Sequence, residues 1–218
     1  MDAWIRLRRS ELSEERPAGA TEDVHFPERL AEQVIARFTT PGELVLDPFA
    51  GYGTTAVVAA RMGRRVIAVE LLPERAELIR SRLGDDGRVI VGDARRLRTL
   101  VREPIDLCFT SPPYMTRTGH PENPLTGYRT LDGKYDTYLD EMEAVAVQVA
   151  ELLNTDGWFV VNAATIEGEP EPTTLADDMA ERFSRHLVRE PDLPIAWDAV
   201  PTGISDDRCL VFVKRPVP

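Results

Sequence analysis

The segment from Asp47 to Thr55 reads Asp-Pro-Phe-Ala-Gly-Tyr-Gly-Thr-Thr. Gly51 and Gly53 let the backbone approach a ligand closely and adopt angles that other residues avoid. A helix predicted to begin at Thr54 would offer free N–H groups to a carboxylate, and Asp47 could accept hydrogen bonds from an ammonium group. The segment therefore predicts a site for a ligand that carries both a carboxylate and an ammonium group. Glycines at this spacing also form simple tight turns.

Two further acids follow predicted strands. Glu70 ends the second strand, where an acid in a nucleoside-binding sheet accepts hydrogen bonds from the two ribose hydroxyls. Asp93 follows the third strand and could accept from an adenine amino group. Each acid has an ordinary alternative: Glu70 as a solvated surface residue, and Asp93 as the N-cap of a short helix from Ala94 to Leu97.

The sequence Ser111-Pro112-Pro113-Tyr114 comes directly after the fourth strand. Two consecutive prolines hold the backbone extended and remove two N–H donors. Carbonyl oxygens and the Ser111 hydroxyl then face one pocket, and the Tyr114 ring supplies a flat surface. Such a pocket suits a planar group that carries an amino substituent. In isolation the same four residues would indicate only a rigid turn.

Strands and helices that alternate along the chain position these residues. The strands are predicted at Leu44–Leu46, Arg65–Val69, Val89–Val91, Ile105–Phe109, Trp158–Val161, Ala196–Val200 and Cys209–Lys214. The helices are predicted at Leu30–Phe38, Thr54–Met62, Pro73–Leu83, Tyr138–Leu153 and Leu175–Leu187. This alternation predicts an α/β fold, a Rossmann-like, doubly wound and mostly parallel sheet that binds ligands at the carboxyl ends of its strands.

The chain of 218 residues is long enough for one α/β domain. We expect an irregular N-terminal arm over residues 1–24 and a single domain over residues 25–218. Residues 115–135 are rich in glycine and proline and poor in apolar side chains, so they predict a long, mobile loop. Cys108 and Cys209 lie in apolar stretches and lack metal-ligand spacing, which predicts reduced core residues and no metal site.

The chain resembles the amino-methyltransferases of DNA, the N4-cytosine and N6-adenine enzymes. Residues 47–55 stand where that family has its D-P-F-x-G-x-G-T-T cofactor motif, and residues 111–114 where it has its [DNS]-P-P-[YFW] catalytic motif. Residues 25–27, His-Phe-Pro, resemble the segment that closes over the methionine part of the cofactor. The closing hairpin around residues 207–214 is similar as well. Serine at the first catalytic position is commonest among the cytosine-N4 enzymes.

The resemblance implies S-adenosyl-L-methionine as the cofactor and a seven-stranded sheet of the type found in methyltransferases that use it. Its implied reaction is methylation of the exocyclic amino group of a nucleic-acid base, above all DNA cytosine N4 or adenine N6. Together with the residue arguments it predicts cofactor binding by His25, Phe26, Pro27, Asp47, Pro48, Phe49, Gly51, Gly53, Thr54, Thr55, Glu70 and Asp93. Catalysis is predicted for Ser111, Pro112, Pro113 and Tyr114.

The charge pattern bears on the partner. The net charge of -11 is unusual for a nucleic-acid binder, but Arg117, Arg129 and Lys134 lie in the loop that leaves the catalytic motif. We expect these three side chains to contact phosphates. The chain also has no long recognition region after Tyr114, so a separate recognition subunit is an expected partner.

Three functions stay open at this level: DNA amino-methylation, RNA base amino-methylation, and a role on a small amino-heterocycle or as a non-catalytic cofactor-binding subunit. No apolar run reaches the roughly 18 residues that span a membrane. The charged N-terminus is unlike a signal peptide. The expected location is therefore the cytoplasm, with no membrane partner.

Overall fold

The computed structural model describes residues 4–20, 25–117, 121–168 and 171–215. The strands are β1 (Ile5–Leu7), β2 (Leu44–Asp47), β3 (Arg65–Glu70), β4 (Arg88–Val91), β5 (Ile105–Thr110), β6 (Leu153–Ile166), β7 (Val188–Trp197) and β8 (Ile204–Val213). The helices are α1 (Arg9–Glu14), α2 (Glu28–Phe38), α3 (Thr54–Arg61), α4 (Pro73–Leu83), α5 (Leu97–Leu100), α6 (Tyr135–Leu152) and α7 (Leu175–Phe183). Short 3-10 helices cover Ala94–Arg96 and Pro124–Thr126.

The strands form one sheet in the order β1-β7-β8-β6-β5-β2-β3-β4. All neighbours pair in parallel except those of β8, which runs antiparallel to both β6 and β7. The expected doubly wound, mostly parallel α/β fold is therefore confirmed. The predicted number of strands is wrong, because the described residues form a sheet of eight strands instead of seven. The additional strand is β1, which pairs with β7 through Ile5 and Ile195.

Helices cover both faces of the sheet. On one face α2, α3 and α4 bury side chains such as Val34, Ala56 and Ile79, each fully excluded from solvent. On the other face α6 and α7 bury Tyr138 and Phe183 against β5, β6 and β8. Because both faces are covered, the central strands consist almost entirely of buried apolar residues.

The N-terminal residues are more ordered than an irregular arm. Ile5 and Leu7 point into the core while Arg6 is exposed, the alternation of a half-buried strand. After α1, the Glu15 carboxylate accepts a hydrogen bond of 2.6 Å from the backbone N–H of Glu28. This contact satisfies one of the unpaired donors at the start of α2. Residues 5–15 thus join the edge of the sheet to the helix that precedes β2. The division at residue 25 stays a prediction.

The loop predicted at 115–135 is anchored where the structure describes it. Asn123 is buried, and its side chain accepts a hydrogen bond from the Leu125 backbone and donates one of 2.9 Å to Glu141 on α6. Leu125 is also buried. Tyr128 has a φ of 61°, in the left-handed region that side chains seldom adopt. Residues 118–120 lie outside the described residues, and the mobility of the loop stays a prediction.

Candidate active site

A pocket of about 510 Å³ opens where β2, β3, β5 and β6 end. Its volume lies in the range of ligand sites, and its position follows the rule that parallel sheets bind ligands beyond the carboxyl ends of their strands. The predicted site residues that line it are His25, Phe26, Asp47, Pro48, Phe49, Gly51, Thr54, Thr55, Glu70, Ser111, Pro112, Pro113 and Tyr114. The structure therefore brings the two predicted halves of the site, the glycine turn and the Ser-Pro-Pro-Tyr segment, to one cavity.

Asp47 is held at the end of β2 by two hydrogen bonds. Its Oδ1 accepts from the Thr110 hydroxyl at 2.7 Å and from the Phe49 backbone N–H at 3.1 Å. Burial raises the pKa of Asp47 to about 6, since these hydrogen bonds offset only part of the desolvation and the nearby Glu70 charge adds to it. A cationic group in the pocket would favour the ionised form of Asp47.

Glu70 connects the glycine turn to the next strand. Its two carboxylate oxygens accept from the backbone N–H groups of Gly51 at 2.8 Å and Leu72 at 2.9 Å. Each oxygen keeps a further lone pair, and the side chain lines the pocket. Burial raises the pKa of Glu70, and the backbone hydrogen bonds oppose that shift. The carboxylate is fixed in place and can still accept from a pair of hydroxyls.

Gly53 has a structural reason to be glycine. Its φ is 86°, and a Cβ atom there would lie 2.9 Å from Cγ2 of Ile79 on α4. The side chain of Ile79 occupies the space that any larger residue would need.

Gly53 itself does not line the pocket, and neither does Pro27, the N-cap residue of α2. The predicted direct contact of these two residues with a ligand has no support in the geometry.

Asp93 has the contacts of a helix cap. Its side chain accepts from the Arg95 backbone N–H at 2.9 Å and forms an ion pair of 2.7 Å with the Arg95 guanidinium. Burial alone would raise the pKa of Asp93, but the hydrogen bonds and charge of Arg95 outweigh it and lower the pKa. Its neighbours Gly92 and Ala94 line the pocket and Asp93 does not. The structure therefore shows the N-cap contact of Asp93, and its contact with a ligand stays a prediction.

The Ser-Pro-Pro-Tyr segment is fixed from α6. The hydroxyl of the buried Tyr138 donates a hydrogen bond of 2.9 Å to the Pro113 carbonyl. Tyr114 packs against the core beside this segment. Burial and the negative charge of Asp207 raise the pKa of the Tyr114 phenol, so this hydroxyl stays protonated at neutral pH. The segment therefore presents a rigid wall with a neutral aromatic ring.

Several pocket residues were not predicted. The loop contributes Leu125 and Tyr128, and the N-terminal helix contributes Leu12. A polar group formed by Asn162, Trp197 and Asp207 also lines the cavity. The Asp207 position was noticed only as part of a hairpin, because nothing in the sequence shows which strands lie beside the Ser-Pro-Pro-Tyr segment.

The three predicted phosphate contacts differ in their surroundings. Arg129 and Lys134 are exposed. The Arg117 guanidinium instead forms an ion pair of 2.9 Å with Asp178 on α7 and lies 5.6 Å from the centre of the Tyr135 ring. Arg117 would have to leave these partners before it could bind a phosphate.

The comparisons with known proteins agree with the site. A family model described as DNA methylase matches residues 2–81, which include the glycine turn and Glu70. A type II methyltransferase of Streptococcus pneumoniae, M2.DpnII, is 47% identical over 57 residues. Over these segments the chain is similar to the DNA methylases. The family match ends before Ser111, so the second motif lies outside it.

The relationship covers part of each protein. The match to M2.DpnII spans 26% of this chain and 21% of that enzyme. Among solved structures, a TehB-like SAM-dependent methyltransferase from Corynebacterium glutamicum has a TM-score of 0.60 at 18% identity, over 93% of this chain and 95% of the other. An rRNA methylase from Streptococcus thermophilus has a TM-score of 0.59 at 14% identity, over 88% and 99%. These two structures show that the chain shares the fold of these methyltransferases.

Within the described residues, no group of three or more His, Cys, Asp or Glu side chains is arranged to hold a metal ion. No helix in the described ranges is both long and apolar enough to cross a membrane. Cys108 and Cys209 are buried free thiols, as predicted, and burial raises the pKa of both.

Proposed function

We propose that this protein is an S-adenosylmethionine-dependent methyltransferase that acts on the exocyclic amino group of a nucleic-acid base, with DNA cytosine N4 or adenine N6 as the favoured target. The observation that carries the proposal is the single pocket shared by the glycine turn, Glu70 and the Ser-Pro-Pro-Tyr wall. One half fits an amino-acid nucleoside, and the other half fits a planar amine.

The residues of the first half fit S-adenosylmethionine. The buried Glu70 carboxylate has lone pairs left for the ribose hydroxyls, and Asp47 can accept from the ammonium of the methionine part. The N-terminus of α3, where Thr54 lines the pocket, favours the carboxylate. Gly92 and Ala94 form the wall beside this nucleoside site. When bound, the cofactor supplies a methyl group activated by its sulfonium.

The residues of the second half orient the amine. The Ser111 hydroxyl and the Pro112 carbonyl accept its two hydrogens and favour a pyramidal nitrogen, whose lone pair is available for attack. Tyr114 holds the ring of the base by stacking. Because a serine hydroxyl is a weak base, the nitrogen loses its proton after the methyl group has been transferred. Catalysis by these residues consists mainly of positioning and fixed dipoles.

DNA is the favoured substrate because the sequence relatives are DNA methyltransferases. A duplex base would have to leave the stack to reach this pocket, at a cost of a few kcal/mol. RNA is the second candidate, because an rRNA methylase is among the solved structures that share this fold. We also propose a separate recognition partner and a cytoplasmic location.

The test is transfer of a tritiated methyl group from S-adenosylmethionine to duplex DNA, single-stranded DNA and bulk tRNA. Label in DNA supports the favoured function, and label only in tRNA supports the RNA alternative. A protein that binds the cofactor and labels none of the three would contradict the proposed function.

A further inference from the structure

Asp207 is a partly buried carboxylate on the substrate side of the pocket that no step described so far uses. It lies near the start of β8 and lines the cavity together with Ser111 and Tyr114. The sheet explains this closeness. Thr110, the residue before Ser111, pairs with Val161 on β6, and the next residue of β6, Asn162, pairs with Cys209 on β8. Only β6 therefore separates Asp207 from the catalytic segment.

Two side chains hold the carboxylate in place. Asn162 Nδ2 donates to Asp207 Oδ1 at 2.8 Å, and Trp197 Nε1 donates to Oδ2 at 2.8 Å. Both donors belong to residues that line the same pocket. The backbone N–H of Arg208 also interacts with the carboxylate. A carboxylate has about four acceptor positions, so Asp207 can still accept from a bound molecule.

No cation among the described residues forms a salt bridge with Asp207. The adjacent Arg208 is engaged elsewhere, with Asp177, Asp192 and Asp206. A partly buried charge without an ion-pair partner still costs free energy, and this cost is typical of functional sites. Two neutral hydrogen-bond donors fix the orientation of the carboxylate and leave its charge uncompensated.

We propose that Asp207 is the proton acceptor for the methylated amino group. This inference rests on the proposed function. As the methyl group is transferred, the amino nitrogen gains positive charge, which the carboxylate stabilises. An N–H bond then breaks, its electron pair stays on the nitrogen, and the proton forms an O–H bond at Asp207. The products are a neutral methylamino group and a protonated Asp207, which later loses its proton to water.

The groups that face Asp207 do not titrate in its range. Burial raises the pKa of the Tyr114 phenol and of the Cys209 thiol, and the charge of Asp207 adds to both shifts. The pKa of Asp207 itself is raised by burial, while Trp197 and Asn162 lower it. Asp47 also has a raised pKa, but its effect on cofactor binding disappears when the cofactor is saturating.

The experiment is the pH dependence of the single-turnover methyl-transfer rate at saturating cofactor and oligonucleotide. For wild type we expect the rate to fall about tenfold per pH unit below the pKa of Asp207. We call this decrease at low pH the acid limb. Asp207→Asn should be at least about tenfold slower and should lack the acid limb. Trp197→Phe removes a donor, raises the pKa of Asp207 and should move the acid limb to higher pH.

Asp206→Asn is the matched control, because Asp206 is the adjacent acid, lies outside the pocket lining and is exposed. Its φ of 47° is tolerated by asparagine. It should keep the rate and acid limb of wild type. Cofactor affinity, measured by calorimetry, should be unchanged in all three variants, which shows that they are folded.

A readout independent of turnover is the titration of the Asp207 carboxyl carbon by NMR, assigned from the signal missing in Asp207→Asn. We expect a midpoint above 3.8, the ordinary value for aspartate, and a higher one in Trp197→Phe. Equal rates and acid limbs in wild type and Asp207→Asn would overturn the inference while the proposed function stands. A wild-type protein that methylates no base would overturn both.

Discussion

Asp47 and Glu70 occupy neighbouring strand ends and have raised pKa values because both are buried. In the free protein Asp47 is half protonated near pH 6. An ammonium group bound beside it favours the ionised form, so binding below that pH must release a proton. The affinity for a ligand with an ammonium group should therefore fall as the pH decreases below the pKa of Asp47.

We predict that the affinity for S-adenosylmethionine is constant above about pH 7 and falls below pH 6, approaching about tenfold per pH unit. Asp47→Asn should bind more weakly at neutral pH and lose most of this dependence. Calorimetry between pH 5 and 8 measures both, with Asp86→Asn, a change at an exposed acid, as the control. An affinity that rises on acidification would exclude Asp47 from the ammonium site.

Ser111 and Tyr114 should affect turnover rather than cofactor binding. Tyr114→Ala removes the stacking surface, and we expect the rate to fall by about 10- to 100-fold, from a stacking energy of about 1–3 kcal/mol. Ser111→Ala should cost less, because the Pro112 carbonyl remains as an acceptor. Single-turnover kinetics and cofactor calorimetry check this together. Wild-type turnover in Tyr114→Ala would disprove the stacking role.

The residues of the site differ in how far the sequence alone could predict their roles. Glu70 was predictable because the end of a strand in a parallel sheet defines its place. Asp93 lies two residues beyond the end of the next strand, β4, and the Arg95 that follows it binds its carboxylate. Asp207 gave no local signal, since its role depends on Asn162 and Trp197, which are distant in sequence.

At the scale of elements, the glycine turn between β2 and α3 depends on its packing against α4. Gly53 combines a φ of 86° with the contact to Ile79, whereas Gly42 has a φ of 89° and open space around its Cα. Substitutions at these two glycines therefore distinguish the free-energy cost of backbone strain from the cost of steric crowding.

We predict that Gly42→Ala lowers the free energy of unfolding by about 1–3 kcal/mol through strain alone. Gly53→Ala should cost about 1–3 kcal/mol more, because the new methyl group displaces Ile79. Urea unfolding of both variants and wild type measures the difference. An equal loss of stability in the two variants would mean that the α4 contact does not constrain the turn.

Strands β2 to β5 were predictable within about a residue, because each is an apolar run bounded by turn residues. The last part of the sheet was not. Strand β7 was predicted at residues 196–200 and forms at Val188–Trp197. Pro191 and Pro194 cannot donate to a ladder. They are tolerated because β1 pairs with β7 only from Ile195 onward, and the pairing with β8 shifts register between Glu190 and Leu193.

At the scale of the whole molecule, the proposed function requires an acidic protein to contact an anionic polymer. Its net charge of -11 opposes this contact. The cations nearest to the catalytic motif in sequence are those of residues 115–135, whose Leu125 and Tyr128 line the pocket. The loop is thus the segment best placed to touch a substrate backbone.

We predict that Arg129→Gln with Lys134→Gln lowers the slope of log affinity against log salt by up to about two units for DNA. Adding Arg117→Gln should change it by less than one further unit, because Arg117 is paired with Asp178. Binding at several salt concentrations measures the slopes. Arg37→Gln with Arg65→Gln is the control, because these exposed residues lie at the opposite ends of the strands. Equal slopes in all variants would show that the loop does not contact phosphates.

The central claim is that the Ser-Pro-Pro-Tyr wall directs a methyl group to an amino nitrogen. The most direct measurement is mass spectrometry of the nucleosides released from DNA after incubation with wild type and S-adenosylmethionine, with Tyr114→Ala in parallel. The account predicts N4-methylcytosine or N6-methyladenine with wild type and little of either with Tyr114→Ala. A methyl group found on a ring carbon or on the sugar would contradict it.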